Sequence, residues 1–251
     1  MTQRLMETRN ICMADTDNKI MSKVLSSISS ILFKDKKYES LLLDRFQEMS
    51  EQCNWEFPNG PTDNGCAVKY VEAPEGYEDY GILGFDIPTL IRLDDNVDVS
   101  DIIMVVSQDP RRTERFKGML SLSSPFGFHD KSYRHHAHKG FMTPLVYQAL
   151  KDNHTALYFT DYCKLYTTDE RGVLKSDTLK YMEILRKEIE LIKPRQIIAH
   201  GSKAKSVLEE MQKTLNFALE IVPYIGNSRM KREEREQAKA TFLKVFNNTI
   251  I

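Results

Sequence analysis

The chain has 251 residues, 41% of them hydrophobic, and a formal net charge of −1. That length buries a sizeable core without metal or disulfide staples, and the near-zero charge excludes a protein that coats nucleic acid indiscriminately. The longest apolar runs, such as 102–106 and 197–199, are too short to span a bilayer, and the first residues lack signal-peptide order, so the expectation is a cytoplasmic, monomeric protein with no membrane partner.

Residues 1–53 read as a helical region, because Ile20, Val24, Ile28 and Ile31, then Leu41, Leu42, Phe46 and Met49, recur at helical spacing. Residues 54–100 form an acidic, turn-rich segment, with Phe57-Pro58-Asn59-Gly60-Pro61 and Ala73-Pro74-Glu75-Gly76 as breakers. Nine acids face only Arg92 between Glu72 and Asp101, which marks a face kept off polyanions. From 101 to 251 short apolar runs alternate with longer amphipathic stretches, the pattern of helices around a parallel sheet. Strands are expected at 102–106, 157–160, 196–199 and 219–222, and helices at 179–192, 203–211 and 231–245. The whole is read as a single domain.

Cys12, Cys53, Cys66 and Cys163 are scattered with no C-x-x-C pair, so spacing suggests neither a disulfide framework nor a zinc or iron–sulfur site. Charge is segregated: between Arg111 and Gly140 seven Lys/Arg stand against Glu114 and Asp130, with four histidines besides. A cluster of this sign permits a localised phosphate-binding surface. Tyr133-Arg134-His135-His136-Ala137-His138 invites a metal hypothesis, but no carboxylate or cysteine at matching spacing completes a site, and no metal or cofactor is expected.

In open α/β sheets the ligand crevice lies beyond the carboxyl ends of the strands. Four such ends belong together here: Ser107-Gln108-Asp109-Pro110, Asp161-Tyr162-Cys163-Lys164, His200-Gly201-Ser202 and Pro223-Tyr224-Ile225-Gly226-Asn227-Ser228. An aspartate at the first end, fixed by the following Pro110, is suitably placed to orient water and to stabilise developing positive charge.

These ends, in this order, resemble the uracil-DNA-glycosylase superfamily. Gln108-Asp109-Pro110 after an apolar strand is similar to the family's water-activating loop, and Lys193-Pro194-Arg195 before 197–201 is similar to its helix, "I-x-P-R", strand and glycine turn. The resemblance implies a three-layer α/β/α sandwich with a central, mostly parallel four-stranded sheet, plus N-terminal helices. It also implies a monofunctional DNA glycosylase acting on a flipped-out base in double- or single-stranded DNA.

Carried over position by position, the resemblance assigns catalysis to Asp109 with Gln108, and leaving-group contacts to Tyr224 or Asn227, where the family's histidine is absent. Asp161 stands at the base-reading position commonly held by Asn. An ionised carboxylate only accepts hydrogen bonds, which favours the exocyclic amine of cytosine over the O4 of uracil. Arg111 replaces the tyrosine that excludes C5 substituents and offers donors to a hydroxylated or anionic group. Ser121 stands where a stacking Phe is often found, with Phe126 and Phe128 as candidate stackers. Ser123, Ser124, Ser202, Ser228 and Arg229 are candidate phosphate contacts, and Ile225 a candidate wedge. The expected substrate is therefore a modified cytosine, such as glucosylated 5-hydroxymethylcytosine of phage DNA, excised in antiviral defence. A uracil repair glycosylase with Asp161 protonated, and a non-catalytic DNA-binding module, are the competing readings.

Overall fold

The computed structural model describes residues 9–13, 19–57, 62–81, 83–93, 101–111, 117–136, 139–150, 155–167 and 177–247. The expected turn at 58–61, the basic residues at 112–116 and His138 lie outside them. The chain opens on a strand, β1 (Arg9–Met13), before α1 (Ile20–Leu32) and α2 (Lys36–Gln52). Met21, Val24, Leu25, Ile28 and Leu32 form the buried stripe of α1. Asp35 caps α2 by accepting from the backbone N–H of Lys37 at 2.8 Å. The turn-rich segment supplies four short strands, β2 (Asn54–Phe57), β3 (Lys69–Glu72), β4 (Leu83–Asp86) and β5 (Thr89–Leu93).

The second half holds the four strands and three helices expected, with further short elements between them. It runs β6 (Asp101–Ser107), β7 (Met119–Ser123), a 3-10 turn at Pro125–Gly127, α3 (Lys131–Arg134), α4 (Met142–Leu150), β8 (Thr155–Asp161) and β9 (Tyr166–Thr167). Then come α5 (Thr178–Ile192), β10 (Gln196–His200), α6 (Ser202–Met211), β11 (Ala218–Val222) and α7 (Arg232–Asn247). Helix α5 stops where Lys193 turns left-handed, at φ 49°, ahead of Pro194. Arg195 then pairs with Asp101 at 2.7 Å, tying the start of β10 to the start of β6.

The central sheet has seven strands, in the order β11-β10-β6-β8-β5-β1-β2, rather than the four expected. The four strands read from sequence are one parallel run inside it, β11-β10-β6-β8. β5, β1 and β2 extend it antiparallel. Two corrections follow from one cause. β1 sits within the region read as helical, and β5 sits within the acidic segment, because each short apolar run is outweighed by its polar flanks. Once inserted between neighbours, Ile11, Leu90 and Ile91 are fully buried. A second, four-stranded sheet, β3-β7-β4-β9, stands beside the first.

Every residue of β8 and all but the first of β6 are buried, as in a sheet covered on both faces. Helix α1 packs on α2 and α5, while α4 packs on α7. The chain steps from β6 to β8 in one direction and from β8 back across β6 to β10 in the other, so right-handed crossovers send α4 and α5 to opposite faces. Cys12, Cys53, Cys66 and Cys163 form no disulfide with one another, yet Cys53 and Cys66 lie with sulfurs 3.3 Å apart, a pairing that no spacing rule reveals. Among the described residues no helix is long and apolar enough to cross a membrane.

Candidate functional site

The parallel ladder continues past the strand ends and fixes the site loops. Beyond β6 and β8, Tyr162 N–H donates to Ser107 O and Cys163 N–H to Gln108 O, each at 2.9 Å. Gln108-Asp109 is thereby held beside Asp161-Tyr162. In the second sheet Ile87 N–H donates to Ser123 O at 2.8 Å beyond β4 and β7. Gly201 N–H donates to Val222 O at 2.9 Å, joining the β10 and β11 loops.

Three aspartates meet at these ends. Asp109 is half-buried, and Gln108 Nε2 donates to its Oδ2 at 2.5 Å, which fixes the carboxylate while leaving it within reach of solvent. Asp161 is 3% exposed. Its Oδ1 accepts from Ser107 Oγ, and its Oδ2 has no hydrogen-bond partner among the described residues. A buried oxygen in that state costs about 1–3 kcal/mol, a cost that a ligand donor or acceptor would offset. Burial above all, with the charges of Asp86 and then Asp109, pushes the Asp161 carboxyl well above the usual carboxylate range, against Ser107 and Lys164. The shift is toward the neutral form, against the expectation of an acceptor-only carboxylate. A neutral carboxyl both donates and accepts.

The third acid, Asp86, ends β4 and is 8% exposed, with Ser123 Oγ donating to its Oδ1 at 2.6 Å. Sequence reading missed it, because its acidic stretch looks like a solvated face. The one available signal was its place at the end of the apolar run Leu83–Phe85.

Aromatic rings wall the same side of the sheet. Phe126 contacts Phe159, Phe128, Phe141 and His200, with ring centroids 5.5–6.0 Å away. Its backbone is left-handed, at φ 55°, a conformation that costs a bulky residue about 1–3 kcal/mol. Phe126 is partly exposed, whereas Phe128 is buried against Trp55 and Phe159. Of the two candidate stackers, Phe126 is the one with exposed surface. Gly127, at φ 66°, lets the ring of Tyr133 lie directly on the backbone there.

His200 was read from sequence only as part of a strand end, with no role of its own. It is fully buried, and its Nε2 accepts from Ile225 N–H at 3.2 Å, which puts its proton on Nδ1. Nδ1 has no partner among the described residues. Burial lowers its pKa to about 3, so the ring is a neutral donor. The Tyr224 ring lies tilted against it, with centroids 5.1 Å apart, and Tyr224 is 45% exposed. Burial raises the Tyr224 hydroxyl, helped by Tyr133, Asp161 and Asp109 and opposed by Arg111. Tyr224 and exposed Arg111 thus share the mouth of the site with the acids.

Several assignments change. Ile225 is 1% exposed and serves His200 through its backbone, so it presents no wedge; Tyr224 is the exposed ring of that loop. Ser123 and Ser124 are buried, the first on Asp86 and the second on His129, so neither hydroxyl faces a phosphate. Ser121 is fully buried inside β7. Asn227 Oδ1 accepts from Arg229 N–H at 3.0 Å, a local turn contact. Ser202, at the start of α6, with Ser228 and Arg229, is exposed. His135 pairs with Asp63, which also holds buried Arg134. No protein-family model matches the chain, and no curated protein matches it.

Proposed function

We propose that the protein is a DNA glycosylase that hydrolyses the N-glycosidic bond of a flipped-out pyrimidine and leaves an abasic site. The observation that carries this reading is the pairing of a solvent-reachable, amide-held Asp109 with a buried, partner-seeking Asp161 at one sheet end. Asp109 orients water and stabilises the oxocarbenium-like sugar. Asp161 reads the base, Phe126 stacks on it, and Tyr224 covers the mouth. Arg111 reaches the C5 side, where its donors suit a hydroxylated or glycosylated substituent. The preferred substrate is a modified cytosine such as glucosylated 5-hydroxymethylcytosine. Removing ordinary cytosine would destroy the cell's own DNA, whereas removing a base that phage DNA carries throughout blocks its replication, which is the basis for a role in antiviral defence.

The raised pKa of Asp161 favours a second substrate within the same chemistry. A protonated carboxyl donates to the O4 of uracil as readily as it serves a cytosine edge, so uracil repair is the competing assignment. The test is to incubate the protein and Asp109→Asn with DNAs carrying uracil, cytosine, 5-hydroxymethylcytosine or its glucosylated form, and to follow free base by mass spectrometry. Release of modified cytosine by the wild type alone is the expected result. Faster release of uracil moves the assignment to repair, and no release from any DNA, with binding retained, leaves a DNA-binding module.

A further inference from the structure

We infer that Cys53 and Cys66 form a dithiol site that a hydroperoxide converts reversibly to a disulfide. This goes beyond the glycosylase reading and does not depend on it. Cys53 caps the C-terminus of α2, where its N–H donates to Met49 O at 2.8 Å, and it is fully buried. Cys66 lies in the irregular stretch before β3 and is half-buried. The two are 13 positions apart in the chain, and their sulfurs stand 3.3 Å from each other. A disulfide holds its sulfurs about 2.05 Å apart, so closing the pair takes a movement of about an ångström.

Backbone contacts on both sides hold the sulfurs together. Asn64 N–H donates to Asn54 O, and Cys66 N–H donates to His129 O, each at 2.8 Å. The Cys53 thiol reaches the same His129 carbonyl at 3.4 Å, and buried Arg45 donates to Ala67 O just beyond Cys66. A Cβ on Gly65 would meet His129 O at 2.6 Å and Lys131 N at 2.9 Å, so glycine is what lets the chain pass this close. The two thiols are unequal. Contact with Cys53, joined by the Arg45 guanidinium, brings the Cys66 thiol down to about 7 against burial and the Glu48 charge, whereas contact with Cys66 and burial hold the Cys53 thiol up. Cys12 and Cys163 are buried, and burial pushes Cys163 up to about 12.

Cys66, the wetter and more readily ionised sulfur, attacks first, and Cys53 resolves. The Cys66 thiolate takes the terminal oxygen of the hydroperoxide and becomes a sulfenic acid. The O–O bond breaks, and the alkoxide leaves as an alcohol with the proton that Cys66 released. The Cys53 sulfur then displaces the hydroxyl: the S–S bond forms, the S–O bond breaks, and the Cys53 proton departs with the hydroxyl as water. Two thiols are oxidised, and one peroxide is reduced to alcohol and water. The bridge also removes the hydrogen bond from Cys53 to His129 O, in a residue whose N–H donates to Ser124 Oγ at 2.9 Å across the turn that carries Phe126.

The reduced full chain is treated with stoichiometric hydrogen peroxide at neutral pH, remaining thiols are blocked with iodoacetamide in denaturant, and digests are read by mass spectrometry. The expected product is a Cys53–Cys66 link lighter by two hydrogens, with Cys12 and Cys163 alkylated. Dithiothreitol should reopen it in the native protein, and the fluorescence of Trp55, the chain's single tryptophan and two residues from Cys53, should change and recover with it. In Cys53→Ala dimedone should trap a sulfenic acid at Cys66. Cys66→Ser, at the half-buried position, serves if that variant does not fold, and should form neither the link nor a sulfenic acid at Cys53. No link in the wild type, oxidation of Cys12 or Cys163 as fast as Cys66, links between molecules in place of the internal one, or a link that dithiothreitol opens only in denaturant overturns the proposal.

Discussion

Thr160 and Asp161 are neighbours on β8, point to opposite faces of the sheet, and belong to two polar clusters of opposite character. On the α5 side Tyr158, Thr160, Lys164 and Glu188 close on one another. Tyr158 donates to Glu188 at 2.7 Å, Thr160 to Glu188 at 2.8 Å, and Lys164 to both Glu188 and Thr160. On the other side Asp161 satisfies one oxygen and leaves the other without a partner among the described residues, and His200 nearby leaves Nδ1 in the same state. Both clusters are buried, so burial does not distinguish them; satisfaction does. A closed network has spent its hydrogen bonds on the fold, whereas an open one keeps a place for a ligand.

The largest effect expected is on chemistry. Asp109→Asn keeps size and the Gln108 contact region but removes the carboxylate charge, and base release should fall by about 10²- to 10⁴-fold in single-turnover assays with an unchanged melting temperature. Retained activity would place the reaction elsewhere. Next comes the closed cluster. Lys164→Met strands the Glu188 charge in the interior and should cost about 3–5 kcal/mol in urea unfolding, much of it recovered when Glu188→Leu is added. A cost under about 1 kcal/mol would mean that this cluster is no more structural than a surface pair.

The two open groups respond to pH in opposite senses. His200, with a folded pKa of about 3, binds fewer protons folded than unfolded, so its contribution is complete above about pH 6.5 and is lost as the pH falls. The slope is about 1.4 kcal/mol per unit, and His200→Gln should flatten it in melts taken between pH 6.5 and 4. Asp161 is raised. Its neutral form stabilises the fold below the usual carboxylate range, and that stability is lost as pH rises through the folded pKa. The smallest expected effect follows: Asp161→Asn should match or exceed the wild type in stability at pH 8 while base release is impaired. Marked destabilisation at that pH would return Asp161 to the class of the closed cluster and remove the contrast.

Much of the second half was legible because its signals are local. The apolar runs that became β6, β8 and β10 and the helical stripe of α5 lie within single stretches of chain, and the structure moves their ends by one or two residues. The same holds for the placing of Asp109 and Asp161 at strand ends. β1 and β5 were not legible, since five residues of apolar or mixed character have no periodicity to set against polar flanks.

What sequence by itself determined is the alternation of elements, the parallel order that brings four strand ends together, and the residue types available there. Only the tertiary structure decided which of those residues face the site. Asp86 meets Ser123 across 37 positions and Ser107 meets Asp161 across 54. Ile225 turns inward to serve His200, Phe128 is taken by the core, and Phe126 is held out in a left-handed turn. Whether a buried acid is neutral or charged depends on groups that approach through space from other strands, and no local pattern along the chain records that approach.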